Sequence, residues 1–91
     1  MNILAMIKFG RTLTDREYGK SVADIILKEG KFPVVLDFQG VISLGSSCGD
    51  EILNAVASQQ GKIVTVTHMN PAVKNCVAKV AEDSKITLIY Q

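Results

Sequence analysis

A short run of small and hydroxyl residues, Gly45-Ser46-Ser47-Cys48-Gly49, is the part of the sequence best suited to chemistry. It follows an apolar run that ends at Phe38 and precedes an amphipathic pattern typical of a helix. The pattern places Ser46 and Ser47 at a helix N-terminus, where free backbone N–H groups and the helix dipole favour a bound or covalently attached phosphate. A structural role is equally open, because a serine there can cap the helix.

The same run fits G-x-S-x-G, the nucleophile pattern of serine hydrolases, with Ser47 in the centre. That pattern requires a tight turn from strand to helix, whereas residues 39–45 intervene here. The usual order of serine, acid and histidine also offers only Asp50 or Glu51 before His68. We therefore expect a non-catalytic protein.

The two cysteines, Cys48 and Cys76, lack the spacing of a metal site or a redox motif. Cys48 in the first turn of a helix has two interpretations, a reactive thiolate or a small packing residue, and we favour packing. Cys48 and His68 together supply too few ligands for a metal ion. We therefore expect no metal, no cofactor and a reducing, cytoplasmic location.

Length and charge exclude several functional classes. The chain has 91 residues, 47% of them hydrophobic, and a formal net charge of +1, which suits one small globular domain over residues 1–91. It has no basic block, so nucleic acid and anionic membrane are not expected partners. No apolar run approaches the roughly 18 residues of a membrane span, and no signal peptide is recognisable.

Four strands and three helices are predicted in alternation. The strands are predicted at 1–9, 34–38, 62–67 and 86–90, and the helices at about 15–29, about 47–60 and from Pro71 onward. Thr14 with Glu17 has the spacing of a capping box, and Asn70 before Pro71 is a preferred helix start. Residues 39–45 are predicted to be irregular and packed on the core, with Asp37 accepting from N–H groups of that segment.

This order favours a single small α/β domain with a four-stranded, mostly parallel sheet and right-handed crossovers. Functional loops of such sheets gather beyond the carboxyl ends of the strands. We therefore expect Ser46 and Ser47 to lie near His68 and Asn70, which would together form a pocket for a small ligand or anion. The predicted edge strands, 1–9 and 85–90, would support a homodimer by sheet extension.

Three segments resemble the STAS-like domains, relatives of the bacterial anti-sigma-factor antagonists. They are residues 34–41 (VVLDFQGV), 45–53 (GSSCGDEIL) and 70–73 (NPAV). In the antagonists, a serine at the start of the second helix is phosphorylated by a partner kinase, and Ser46 is similar in position. This sequence has Gly45 where the antagonists have aspartate and Cys48 where they often have glycine.

The resemblance implies a regulatory module that binds a histidine-kinase-like ATPase or an anti-sigma-type regulator and switches partners when a serine is phosphorylated. The expected phosphorylation sites are Ser46 and Ser47. The expected partner-binding residues are Gly45, Ser46, Ser47, Cys48, Asp50 and Glu51. The alternative is a small-ligand or anion sensor that uses Ser46, Ser47, His68 and Asn70.

Overall fold

The computed structural model describes residues 1–91 and contains six strands and three α-helices. The strands are β1 (Asn2–Ala5), β2 (Thr12–Leu13), β3 (Val34–Asp37), β4 (Ser43–Leu44), β5 (Ile63–Thr67) and β6 (Thr87–Tyr90). The helices are α1 (Arg16–Glu29), α2 (Ser46–Gln59) and α3 (Pro71–Ser84), and a 3-10 turn covers Met6–Phe9.

The main sheet has four parallel strands in the order β1-β3-β5-β6. These strands follow one another across the sheet in chain order, so right-handed crossovers put all three helices on the same face. The predicted fold class, one α/β domain with three helices and a mostly parallel four-stranded sheet, is confirmed.

The core lies between that face and the helices. Alternate strand residues point inward, among them Val34, Leu36, Val64 and Val66, and all four join one cluster of 21 buried residues. Helix residues complete the cluster: Val22, Ile26, Ile52, Leu53, Val56, Val73, Val77 and Val80. Each fully buried aliphatic side chain stabilises the fold by about 1.5–3 kcal/mol relative to exposure, so this cluster is the main source of stability.

The first predicted strand is too long. β1 ends at Ala5, and the chain turns through Met6–Phe9, which brings the Met6 side chain completely into the core. The turn closes with the Gly10 amide donating to the Ile7 carbonyl, and Gly10 has a φ of 131°, which favours glycine. β1 nevertheless lies at an edge of the sheet, as predicted.

The capping prediction for α1 is displaced by one residue. Asp15, rather than Thr14, is the N-cap, and its carboxylate accepts from the Tyr18 amide at 2.9 Å. The predicted end is correct, because Gly30 closes α1 in the left-handed conformation.

Residues 39–45 are more regular than predicted. They contain β4, which pairs in parallel with β2 to form a separate two-stranded sheet just before α2. Val41 and Leu44 pack into the core as expected, whereas Ile42 is exposed. The start of α2 is therefore attached to the segment that precedes α1.

Candidate functional site

Helix α2 begins at Ser46, and its N-cap is Gly45, which supplies no side-chain hydrogen bond. The capping role considered for the two serines is therefore not used. Ser46 is exposed and Ser47 is half-buried. Since the first amides of a helix lack intrahelical acceptors, Ser46 presents its hydroxyl where negative charge is favoured.

Glycines let neighbouring elements press against the start of α2. A Cβ atom on Gly45 would lie 2.8 Å from the Thr14 carbonyl oxygen, and the Gly45 amide donates to the Leu13 carbonyl at 2.8 Å. A Cβ atom on Gly19, in α1, would lie 2.9 Å from the Cα and the carbonyl oxygen of Cys48. The first turn of α2 is therefore held directly against backbone on two sides.

Cys48 does not belong to the predicted partner-binding surface. Its side chain is completely buried beneath Gly19, because the second helical position after Ser46 points toward α1. Burial raises the pKa of the Cys48 thiol, with smaller contributions from Asp15 and Cys76. Burial also raises the pKa of the Cys76 thiol. The packing interpretation of Cys48 fits these observations, and the thiolate interpretation does not.

The two serines line a cleft of about 190 Å³ between the starts of α1 and α2 and the end of α3. The cleft is completed by Arg16, Asp50, Lys79, Val80 and Asp83. Arg16 bonds to Glu51 and, at 3.3 Å, to Asp50, and these bonds raise the pKa of its guanidinium. Lys79 pairs with Asp83 at 3.3 Å. The serines thus lie among paired charges of both signs.

Arg16, Lys79 and Asp83 were not predicted as site residues. From the sequence they are ordinary surface charges, since Arg16 in α1 is more than 60 positions from Lys79 and Asp83 in α3. The only local signal is the spacing of Lys79 and Asp83, which suits an ion pair along one helix face.

His68 and Asn70 do not enter this cleft. His68 Nδ1 lies 3.0 Å from Asp37 Oδ1, and the same carboxylate oxygen accepts from the Gln39 amide, as predicted for Asp37. The expected four-residue pocket is not assembled, because β4 carries the chain toward β2 before α2 begins.

Asn70 has two structural roles instead. Its Oδ1 accepts from the Val73 amide at 2.8 Å, which caps α3 as predicted. Its Nδ2 donates to the carbonyl oxygens of Val41 and Ile42 at 3.2 and 2.9 Å. Asn70 therefore ties the segment before β4 to the start of α3.

No protein-family model, curated protein or solved structure matches this chain. None of its helices has the length and apolar character needed to cross a bilayer. The geometry of the cleft is therefore the basis for the functional proposal.

Proposed function

We propose that this chain is a non-catalytic regulatory module that binds another protein through the start of α2 and releases it when Ser46 is phosphorylated. The partner is a histidine-kinase-like ATPase or an anti-sigma-type regulator, the class that the STAS-like resemblance implies. The observation that carries the proposal is the exposed Ser46 hydroxyl on the first residue of a helix whose N-cap gives no side-chain acceptor.

The surface around Ser46 suits protein binding. Gly45, Ser46 and Ser47 are small, so a partner can approach the backbone closely. The surrounding ion pairs, Arg16 with Glu51 and Lys79 with Asp83, form a charged rim. Rim charges contribute mainly to specificity and association rate, whereas the small central residues permit close packing.

Phosphorylation would change this surface without unfolding it. A phosphate on Ser46 adds a charge of about −1.5 to −2 at neutral pH. Within the protein, the dipole of α2 favours that charge at the first residue of the helix. A docked partner would have to desolvate the phosphate beside Asp50 and Asp83, so phosphorylation disfavours the complex.

The direct test is affinity capture from a lysate of the source organism with wild type, Ser46→Ala and Ser46→Asp as baits. Ser58→Asp is the matched control, since Ser58 is an exposed serine near the other end of α2. We expect the same partner with wild type, Ser46→Ala and Ser58→Asp, and its loss with Ser46→Asp. Equal capture by Ser46→Ala and Ser46→Asp would contradict the switch.

Mass spectrometry of the protein from its source organism tests the modification itself. The expected result is phosphate on Ser46 under some growth conditions and none on Ser58. An unmodified Ser46 under every condition would leave a binding module without this switch.

The anion-sensing alternative has less support. His68 and Asn70 lie outside the cleft, and each cation that lines it is already paired with a carboxylate. Thermal stabilisation that grows with phosphate concentration would favour sensing over partner switching.

A further inference from the structure

A cleft at the end of α1 reaches the hydrophobic core from the surface. It has a volume of about 130 Å³ and lies between β1, the end of α1 and the segment before β3. Its apolar lining consists of Ile3, Leu4, Ile26, Phe32 and Val34. Ile26 and Val34 are 4% and 5% exposed and belong to the core cluster, whereas Ile3 is 68% exposed. Core side chains therefore form the floor of the cleft, and Ile3 lies at its rim.

The polar residues of this cleft carry a net positive charge. They are Asn2, Lys8, Glu29 and Lys31, so two lysines and one glutamate give a formal charge of +1 (2 − 1). Lys8 Nζ lies 3.5 Å from Glu29 Oε2, whereas Lys31 forms no ion pair. The charge of the cleft therefore favours an anionic ligand.

The ammonium group of Lys8 is held in place and keeps free hydrogen-bonding capacity. Glu29 lies on one side of Nζ, and the centre of the Phe9 ring lies 5.2 Å from it. An ammonium group has three N–H donors, and Glu29 is the one side-chain acceptor that Lys8 uses. An anion in the cleft can therefore accept from Lys8 while the bond to Glu29 persists. A cationic ligand would have to compete with Lys8 for Glu29.

The volume of the cleft limits the size of the ligand. A cavity of about 150 Å³ lined by leucine, isoleucine and phenylalanine binds benzene, so this cleft has room for about one six-membered ring or a branched chain of similar size. A small inorganic anion would leave the apolar floor uncovered, and a plain hydrocarbon would leave the donors of Lys8 unused. The lining therefore suits a ligand that joins one apolar group to one negative charge.

We propose that this cleft binds a small carboxylate whose apolar part is a single ring or a branched chain. The apolar part contacts Ile26 and Val34, and the carboxylate accepts a charge-assisted hydrogen bond from Lys8.

The carboxylate site is separate from the Ser46 cleft. Glu29 is the last residue of α1, and Arg16, which lines the Ser46 cleft, is the first. At about 1.5 Å per residue, the two ends of this helix lie about 20 Å apart. Binding of a carboxylate therefore does not depend on the proposed function, and either proposal can fail without the other.

Benzoate is the probe, and two-dimensional ¹H–¹⁵N NMR of the purified chain measures its binding. We expect saturable shifts of the Lys8, Ile26 and Phe32 amide signals, with a dissociation constant of about 1–10 mM. Acetate lacks the ring and benzyl alcohol lacks the charge, so each should bind at least about tenfold more weakly. No saturable shift at about 50 mM benzoate, or equal affinity for benzyl alcohol, would overturn the proposal.

Lys8→Gln tests the role of the ammonium group. Its benzoate dissociation constant should rise at least about threefold, because a charge-assisted hydrogen bond is lost. The matched control is Lys74→Gln, since Lys74 is an exposed lysine that also lies over an aromatic ring, that of Tyr90. It should bind benzoate like wild type. Lys31→Gln is a second variant in the cleft. Unchanged affinity in both Lys8→Gln and Lys31→Gln, or an equal loss in Lys74→Gln, would contradict the site.

Discussion

Replacing Gly19 with alanine tests how closely α1 and α2 are packed. The added methyl carbon would lie 2.9 Å from two backbone atoms of Cys48 and 3.1 Å from its Sγ. Backbone atoms in the first turn of a helix cannot move aside without moving the helix. We therefore predict that Gly19→Ala destabilises the protein, although alanine is normally the better helix residue.

Helix propensity and overpacking act in opposite directions on the stability of Gly19→Ala. Alanine in place of glycine in a helix interior favours folding by up to about 1 kcal/mol. Overpacking a close contact costs about 1–3 kcal/mol, and the upper part of that range applies because backbone is contacted. The expected net loss is about 1–2 kcal/mol of unfolding free energy, which corresponds to a melting temperature about 5–15 °C lower in a domain of this size.

Urea unfolding followed by circular dichroism measures the change, with the slope m checked for constancy. Gly49→Ala is the matched control in α2. Its added carbon would meet the flexible end of Leu44 at 3.3 Å, so we expect a change below about 0.5 kcal/mol. The reasoning is refuted if Gly19→Ala equals or exceeds wild type in stability, or if Gly49→Ala is the more damaging variant.

Two further predictions concern the caps and the thiols. Asn70→Ala should lower the unfolding free energy by about 2 kcal/mol, because it removes a helix cap and two hydrogen bonds to loop carbonyls. Urea unfolding measures this loss, and a loss below about 0.5 kcal/mol would contradict these roles of Asn70. Burial raises the pKa of the Cys48 and Cys76 thiols above the ordinary 9.0. As pH rises, these thiols therefore lose their protons at a lower pH in the unfolded chain than in the folded protein. Their contribution to stability is complete below about pH 9 and is lost as pH rises through the higher folded values. Unfolding free energy should fall less steeply above pH 9 in the Cys48→Ala/Cys76→Ala variant than in wild type, and equal slopes would show that the thiols are not responsible.

The long elements follow from local sequence patterns. β1, β3 and β6 contain short apolar runs, and β5 is rich in β-branched residues. Helix α3 has a cap residue followed by a first-turn proline. These elements could therefore be predicted. The β2 and β4 strands could not, because two residues are too few to show any periodicity. At α1, Thr14 and Asp15 are both acceptable caps, and the structure uses Asp15.

The candidate site was predictable only in part. The sequence places Ser46 and Ser47 at a helix start because that position depends on local order. The burial of Cys48 depends on Gly19, which is distant in sequence, and no local pattern reveals that contact. The separation of His68 from the serines depends on β4, the element that local patterns do not show.

The pairing of β2 with β4 fixes the position of the start of α2. Loops at the ends of strands are commonly mobile, but here the residue before Ser46 is bonded to Leu13 and abuts Thr14. A phosphate added at Ser46 would therefore lie on a helix start whose backbone position is already fixed. Such a phosphate would change the electrostatic potential of the surface around Ser46 without changing its shape. Removal of the phosphate by a phosphatase would then reverse the change without any refolding of the domain.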